Sequence, residues 1–220
     1  MPGGTRLGDG RRPGEVGGPL NREAVEAVIR RRRMTRRFDA TPLSQALLVE
    51  LLDTARRAPS AGFSQGVHFL LLTGDELAQF WANTGAAEWF AASQPGVLHA
   101  PAVVLSLADP EAYTARYSAP DKAGHGLENA EAWPVPFWLT DAAMAVQNLL
   151  LLAEAHGLGA LWFGLFRNAR SALDALGVPA HVEPVGAVAL GHRAHGEVQS
   201  GSAASRPRRP SADVVHVGHW

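Results

Sequence analysis

The chain has 220 residues, of which 46% are hydrophobic, and its formal net charge is −1. These values are typical of one globular domain with a sizeable core, and they point to no polyanionic partner such as nucleic acid. The absence of cysteine excludes disulfides, thiol catalysis and thiolate metal sites, and the N-terminus lacks the pattern of a signal peptide. We therefore expect a cytoplasmic protein that binds neither nucleic acid nor membrane.

The N-terminal segment, residues 1–20, contains seven glycines and three prolines with almost no apolar periodicity. Such a segment buries too little surface to offset its ordering entropy, so we expect a disordered or loosely attached arm. From Asn21, a suitable N-cap, the apolar residues up to Ile29 fall on one face of a helix. The predicted domain covers residues 21–196, and a polar C-terminal arm covers residues 197–220.

An arginine-rich run follows this first helix and includes Arg32, Arg33 and Arg36. Cations at the end of a helix complement its negative pole, so one interpretation is a solvated helix terminus. The other interpretation is an anion site, in which several guanidinium groups reach one phosphate. The residues alone favour these two equally, and a nucleic-acid patch is a distant third.

The following segments predict a helix that opens at Thr41-Pro42, a polar loop over residues 58–66 and a strand over residues 67–72. The loop can present backbone, serine and glutamine groups to a flat polar ligand. Residues 75–90 predict a helix with a break near residues 83–85, and residues 102–107 predict a second core strand.

A long stretch without clear periodicity covers residues 109–136. A loop of this length in a compact domain is usually functional or disordered. Its aromatic content favours an ordered lid or pocket wall over residues 109–138. The candidate substrate-pocket residues are Tyr113, Tyr117, Trp133, Phe137 and Trp138.

The most apolar stretch, residues 140–164, predicts the central helix of the fold. We expect Thr140 or Asp141 to cap it, and residues 142–155 are apolar on almost every face, as in a buried helix. A membrane span is the alternative, but the apolar part is shorter than the roughly 20 residues that a bilayer needs. Gly157 ends the predicted helix, and residues 160–163 predict a core strand.

After this strand the chain predicts a short helix over residues 168–176, capped by Asn168, and a further strand over residues 184–190. The sequence has no Walker loop, GxGxxG, GxSxG or HExxH motif. His192 and His195 could pair as ligands, but catalytic zinc needs three protein ligands, so we predict no metal.

Four segments in this order carry a resemblance. They are Arg32–Phe38 (RRMTRRF), Ala58–Gln65 (APSAGFSQ), the helix and strand of Asp141–Gly164, and the paired LGVP and ALGH motifs at residues 176–179 and 189–192. Together they make residues 22–217 similar to the FMN-dependent nitroreductase family. The Gly62-Phe63-x-Gln65 sequence is more similar to the benzimidazole-synthase branch of that superfamily.

The resemblance implies an α+β fold, with a central, mostly antiparallel sheet flanked by helices and a long buried central helix. It also implies a homodimer with a domain-swapped C-terminal arm and two FMN molecules at the dimer interface. Met34 stands where the family has Ser, Thr or Asp, so one hydrogen bond to the flavin is lost or replaced.

The resemblance further assigns the FMN site. Arg32 and Arg36, with Arg33 as an additional candidate, would contact phosphate, ribityl or pyrimidine oxygens, and Gly164 would offer its backbone N–H near flavin N5. The second subunit would line the ring with Pro59, Ser60, Ala61 and Phe63. Gln65 is a further cofactor-binding candidate, and Arg208 or Arg209 would complete the phosphate site.

The implied activity is a ping-pong oxidoreductase, in which NADH or NADPH reduces FMN and a flat electron-poor substrate, a nitroaromatic or a quinone, reoxidises it. One alternative is an FMN-dependent dehydrogenase or oxidase of a specific metabolite. The others are a flavin-binding or storage protein without turnover, and a structural domain without a cofactor.

Overall fold

The computed structural model describes residues 21–220, so the predicted arm of residues 1–20 lies outside the described part of the chain. The described residues form eight helices and four strands. The helices are α1 (Arg22–Arg31), α2 (Gln45–Ala55), α3 (Gly74–Asn83), α4 (Ala86–Ser93), α5 (Pro110–Tyr117), α6 (Phe137–Ala155), α7 (Ala169–Ala175) and α8 (Ser202–Ser205). The strands are β1 (Val67–Thr73), β2 (Ala102–Ala108), β3 (Gly159–Phe163) and β4 (Glu183–Gly191).

The four strands form one antiparallel sheet in the order β1-β2-β4-β3. β2 lies inside the sheet, and every one of its residues is buried. A strand covered on both faces is a continuous apolar run rather than an alternating one, which is why the sequence AVVLSLA predicts a core strand without period-2 patterning.

The alternation of side chains along β2 divides the core between the two faces of the sheet. Ala102 and Val104 pack with residues of α2 and α6, whereas Val103 and Leu105 pack with residues of α3, α4 and α7. The α+β fold with helices on both faces of an antiparallel sheet is confirmed.

The long buried helix α6 is also confirmed, but its start differs from the prediction. The helix begins at Phe137, after Pro136, so Asp141 lies in its second turn and is only 2% exposed. Thr140 and Asp141 therefore do not cap the helix. The helix ends as predicted, because Gly157 has a left-handed φ of 73° and the Leu158 N–H donates to the carbonyl of Ala153.

Three other boundaries differ from expectation. α2 starts at Gln45, where the Ser44 side chain accepts the N–H of Leu47, so Thr41-Pro42 does not open it. Asn168 occupies the N-cap position of α7, yet its side chain accepts no capping hydrogen bond. Residues 109–138 are not one long loop, since Asp109 caps α5 through two backbone N–H groups. Asp109 supplies a capping signal within a stretch that has little apolar periodicity.

The arginine-rich run continues α1 as an extended segment beside β3. Met34 forms a parallel bridge with Ala160, and the N–H of Thr35 donates to the Ala160 carbonyl at 2.9 Å. Residues 201–220 are all exposed in the single chain. Within residues 21–220, no helix has both the length and the hydropathy needed to cross a membrane.

Candidate active site

The arginines of the extended segment have different surroundings. Arg33 donates from Nη2 to the Glu197 carboxylate at 3.2 Å, and the side chain of Glu197 is only 1% exposed. Arg36 donates from Nη1 to the carbonyl of Ser200 at 3.1 Å. The Nη1 atom of Arg32 is buried and has no hydrogen-bond partner among the described residues. Within residues 21–220, Arg33 is thus paired with an acidic side chain, whereas Arg32 and Arg36 are not.

Glu197 joins the C-terminal segment to this cluster. Besides pairing with Arg33, its carboxylate accepts the backbone N–H of Arg36 at 3.2 Å. A buried carboxylate needs such partners, because an uncompensated charge in the interior is costly. The pair fixes the backbone of the segment that carries the two remaining guanidinium groups.

The polar loop of residues 58–66 holds an unusual backbone. Gly62, Phe63 and Gln65 have left-handed φ values of 60°, 57° and 55°. Residues other than glycine rarely adopt this backbone conformation. The Gln65 N–H donates to the Ser60 hydroxyl at 3.0 Å. Phe63 is 74% exposed. Such strain persists only where the surrounding structure determines it, which makes the loop a candidate functional segment.

A buried carboxylate on α6 holds this loop. Asp141 accepts the N–H of Ala61 at 2.9 Å and the hydroxyl of Tyr113 at 2.8 Å, both on Oδ2. Burial, together with the hydrogen bond to Asp141, raises the pKa of Tyr113 well above its ordinary value. Tyr113 therefore stays a hydrogen-bond donor to Asp141 throughout the physiological pH range.

A second support reaches the same loop from the end of α5. Arg116 donates from Nε to the carbonyl of Gly62 at 2.8 Å and forms two hydrogen bonds with Asp121. These bonds from Arg116 lower the pKa of Asp121 to about 2. The loop is thus positioned by two anchors that lie far from it in sequence.

A cavity of about 510 Å³ lies at the end of β3 and contains the predicted residue Gly164. Its walls come from the segment after β3, from α4 and from the arginine segment. The lining residues are Arg36, Gly85, Ala86, Trp89, Phe90, Gln94, Leu161, Trp162, Phe163, Gly164, Leu165, Phe166 and Arg167. Aromatic faces and two guanidinium groups line the cavity, with no carboxylate from the described residues, an arrangement that suits a flat, electron-rich or anionic molecule.

Gly164 lies directly under an aromatic ring. A Cβ atom added at this position would collide with the ring of Phe166, which is 93% exposed. A side chain at residue 164 would therefore displace this exposed ring.

The structure corrects the predicted substrate pocket for three residues. Tyr113, Trp133 and Trp138 are at most 8% exposed and form a packed cluster with Ala108 and Ala142. Their rings meet edge to face, so they stabilise the fold beneath the loop and do not line a cavity.

The other two candidates, Tyr117 and Phe137, are closer to the surface. The Tyr117 ring lies against Gly62, and Phe137 is 40% exposed. They remain candidates for contact with a ligand beside the loop.

The remaining predicted ligands lie apart from the arginine segment. Pro59 and Gln65 are exposed, and Ser60 and Ala61 are half-buried. Arg208 and Arg209 are exposed in the C-terminal arm, where Arg209 donates to the carbonyl of Asp213. Within the single chain the structure brings together only Arg36 and Gly164 around one cavity. The part of the chain that the structure describes has no cluster of three or more side chains able to hold a metal ion.

Sequence reasoning missed four residues of this region. Trp89, Phe166 and Arg167 line the cavity, and Glu197 anchors the arginine segment. The proximity of Phe166 and Arg167 to Gly164 in sequence was an available signal. Trp89 and Glu197 gave none, because only the tertiary fold brings them to the site.

The comparison with known proteins identifies the class. The model of the Nitroreductase family matches residues 29–192. The match covers most of the chain, and the chain belongs to this family.

Curated relatives are distant in sequence. An Archaeoglobus fulgidus protein assigned as an NADH dehydrogenase/NAD(P)H nitroreductase is 25% identical over 168 residues, which cover 75% of this chain and 83% of that protein. The FMN reductase (NADPH) of Bacillus subtilis is 37% identical over 91 residues, covering 41% of this chain and 33% of that enzyme.

Solved structures give the same fold. A Desulfovibrio desulfuricans protein assigned as a nitroreductase, determined in complex with FMN, is 27% identical, with a TM-score of 0.65 over 89% of this chain and 97% of that one. Bacillus megaterium NfrA2 has a TM-score of 0.67 over 90% of this chain and 75% of that one, at 22% identity.

Proposed function

We propose that the protein is an FMN-dependent NAD(P)H oxidoreductase that acts on flat, electron-poor substrates such as nitroaromatics or quinones. The observation that carries this proposal is the pair of uncompensated guanidinium groups, Arg32 and Arg36, on a segment that leads into the cavity at Gly164. The family membership and the NAD(P)H-dependent relatives support it.

The residues fit the chemical features of FMN. The buried, unpartnered Nη1 of Arg32 needs a hydrogen-bond acceptor, and a phosphate or ribityl oxygen supplies one. Arg36 and Gly164 both line the cavity where the ring would lie. Arg33 is already paired with Glu197, so we propose only Arg32 and Arg36 as ligands from this segment.

Two exposed segments support a homodimer as the functional unit. The loop with Phe63 and the C-terminal arm with Arg208 present apolar and cationic groups to solvent in the single chain. In a dimer with exchanged arms, the loop of one subunit would cover the flavin bound to the other. Arg208 or Arg209 would then add positive charge to the phosphate site.

Bound FMN would supply the redox chemistry, taking a hydride from NADH or NADPH and passing it to the second substrate in a ping-pong cycle. The protein's contribution is binding and electrostatics. The Gly164 N–H would hold the reactive edge of the ring by a hydrogen bond, and the Arg36 charge would favour an electron-rich ring. The aromatic walls of the cavity would exclude water from the stacked substrate.

The phosphate assignment is tested by Arg32→Ala and Arg36→Ala. We expect each variant to raise the dissociation constant for FMN at least tenfold, since each removes a charge-assisted hydrogen bond. Arg30→Ala is the matched control, because Arg30 is exposed and pairs with Glu26 on α1. Full FMN occupancy in both variants would show that the phosphate lies elsewhere.

The activity itself is tested by anaerobic stopped-flow mixing of the FMN-loaded protein with NADH or NADPH. Rapid bleaching of the flavin absorbance, followed by recovery on addition of a nitroaromatic or quinone, is the expected result. A flavin that neither nucleotide reduces would contradict the proposed function.

A further inference from the structure

The lining of the cavity at Gly164 includes a cation, Arg167, that the proposed flavin contacts do not use. We infer that Arg167 binds an acidic group of the oxidising substrate, so the preferred substrates are flat aromatic compounds that carry a carboxylate or a similar anion. This inference rests on the proposed function, because it assigns a substrate class to the same cavity.

The first argument is charge. Among residues 21–220, Arg36 and Arg167 are the only charged residues that line this cavity, and no carboxylate accompanies them. Arg167 makes no ion pair with any residue of the described chain, whereas Arg116, Arg170 and Arg193 each pair with an acidic side chain. A cleft lined by charge of one sign attracts ligands of the opposite sign.

The second argument is that the fold makes room for the Arg167 side chain. Gly85, which precedes α4, has φ −65° and ψ 2°, a conformation that any residue can adopt. A Cβ at this position, however, would lie 3.1 Å from Cβ and 3.2 Å from Cδ of Arg167. A side chain at residue 85 would therefore crowd the stem of Arg167, which lies against the start of α4.

The third argument is the pair of aromatic rings beside this cation. Trp89 on α4 is 54% exposed and Phe166 is 93% exposed, and both line the cavity with Arg167. Large apolar rings exposed in a cavity are typical of a site for a flat apolar body. Rings and cation together match an aromatic molecule with one anionic group.

The test uses two reducible substrates of nearly equal shape, 4-nitrobenzoate and its neutral analogue 4-nitrobenzamide. The measured quantity is the ratio of their kcat/KM values for the FMN-loaded wild type and for Arg167→Gln. We expect this ratio to fall about tenfold in the variant, the low end of the range for a charge-assisted hydrogen bond, because the site is open to solvent. Any intrinsic difference in reducibility cancels, since it is the same in both proteins.

Two further variants sharpen the comparison. Arg22→Gln removes the same charge from an exposed position on α1 and should leave the ratio unchanged. Arg167→Lys keeps the charge and should retain part of the preference. Calorimetric titration of the oxidised holoenzyme provides a readout without turnover: Arg167→Gln should weaken binding of 4-nitrobenzoate and leave that of 4-nitrobenzamide unchanged.

The alternative source of the anion is the 2′-phosphate of NADPH. Suppose that Arg167→Gln slows flavin reduction by NADPH relative to NADH while the benzoate-to-benzamide ratio of kcat/KM stays constant. The inference is then overturned, and Arg167 binds the 2′-phosphate of NADPH instead. The inference is also overturned if Arg167→Gln changes neither the benzoate-to-benzamide ratio of kcat/KM nor the rate of flavin reduction by NADPH relative to NADH. A flavin that neither nucleotide reduces refutes the proposed function instead, and the calorimetric comparison then decides the role of Arg167 independently.

Discussion

At the scale of single residues, Asp141 joins three separate parts of the fold. Its carboxylate connects the central helix, the loop of residues 58–66 and Tyr113 on α5 through hydrogen bonds of 2.8 and 2.9 Å. Because Asp141 and Tyr113 are both buried, removal of this carboxylate leaves the Tyr113 hydroxyl without an acceptor and shielded from water. One side chain thus couples the stability of the domain to the geometry of the loop.

We expect Asp141→Ala to lower the free energy of unfolding by about 3 kcal/mol. The substitution leaves the Tyr113 hydroxyl and the Ala61 N–H without an acceptor, and each buried unpaired group costs about 1–3 kcal/mol. Urea denaturation measures the loss. Asp53→Ala, at an exposed ion pair on α2, is the control and should change stability by less than about 1 kcal/mol. A loss for Asp141→Ala no greater than that of the control would contradict the anchoring role.

The raised pKa of Tyr113 gives a pH prediction. A group whose pKa is higher in the folded state adds stability that is complete below its unfolded pKa, near 10 for tyrosine, and is lost as the pH rises above it. The free energy of unfolding should therefore fall above pH 10 by about 1.4 kcal/mol per pH unit from this group.

Ultraviolet titration at 295 nm tests the same property directly. The chain has two tyrosines, and Tyr113 should not contribute to the rise in tyrosinate absorbance near pH 10 while the protein stays folded. Tyr113→Phe should leave the amplitude of this transition unchanged. A smaller absorbance change near pH 10 in folded Tyr113→Phe than in the folded wild type would show that Tyr113 is not held by Asp141.

At the scale of elements, the end of α6 illustrates how a helix and a strand are joined. Gly157 has a φ of 73° and open space around its α-carbon, so conformation and not packing requires glycine there. The left-handed residue lets the chain turn from α6 directly into β3, whose end forms the cavity.

We expect Gly157→Ala to reduce the free energy of unfolding by about 1–2 kcal/mol, the cost of a left-handed alanine. Gly157→Asn should cost less, because asparagine tolerates this conformation. Thermal or urea denaturation of the two variants measures the difference. Equal stability of the alanine variant and the wild type would mean that the turn adopts another conformation.

At the scale of the whole molecule, we propose that the C-terminal arm decides the assembly. Its last large side chains, Val217 and Trp220, are 88% and 98% exposed in the single chain. Apolar residues so exposed gain most from a partner surface. We therefore place the arm on the second subunit of the proposed dimer, where it would add Arg208 or Arg209 to the phosphate site.

A chain that ends at Ser200 tests this arrangement. Glu197 and the Ser200 carbonyl stay in place to hold Arg33 and Arg36, so far-ultraviolet circular dichroism should change little. Light scattering should show a larger monomer fraction, and the affinity for FMN should fall at least tenfold.

The full-length double variant Arg208→Ala/Arg209→Ala separates charge from packing. It should remain dimeric and lose FMN affinity only. A truncated chain that is fully dimeric and binds FMN as tightly as the full chain would remove the arm from both roles.

The sequence by itself determined most of the elements and the family. Residues 142–155 are apolar on nearly every face and β2 is a continuous apolar run, and such local patterns depend only on side-chain hydropathy and spacing. Gly157 likewise marks the end of α6 through its own backbone freedom. These features were predictable because their physical cause lies within a few residues.

Only the tertiary structure decided which polar and aromatic residues meet. Asp141, predicted as a helix cap, is a buried acceptor for groups 28 and 80 residues away. Tyr113 and Trp133 belong to the core, while Trp89 and Arg167 line the cavity. A polar or aromatic side chain has the same sequence signal in either setting. Its role depends on burial and on partners that long-range packing brings to it.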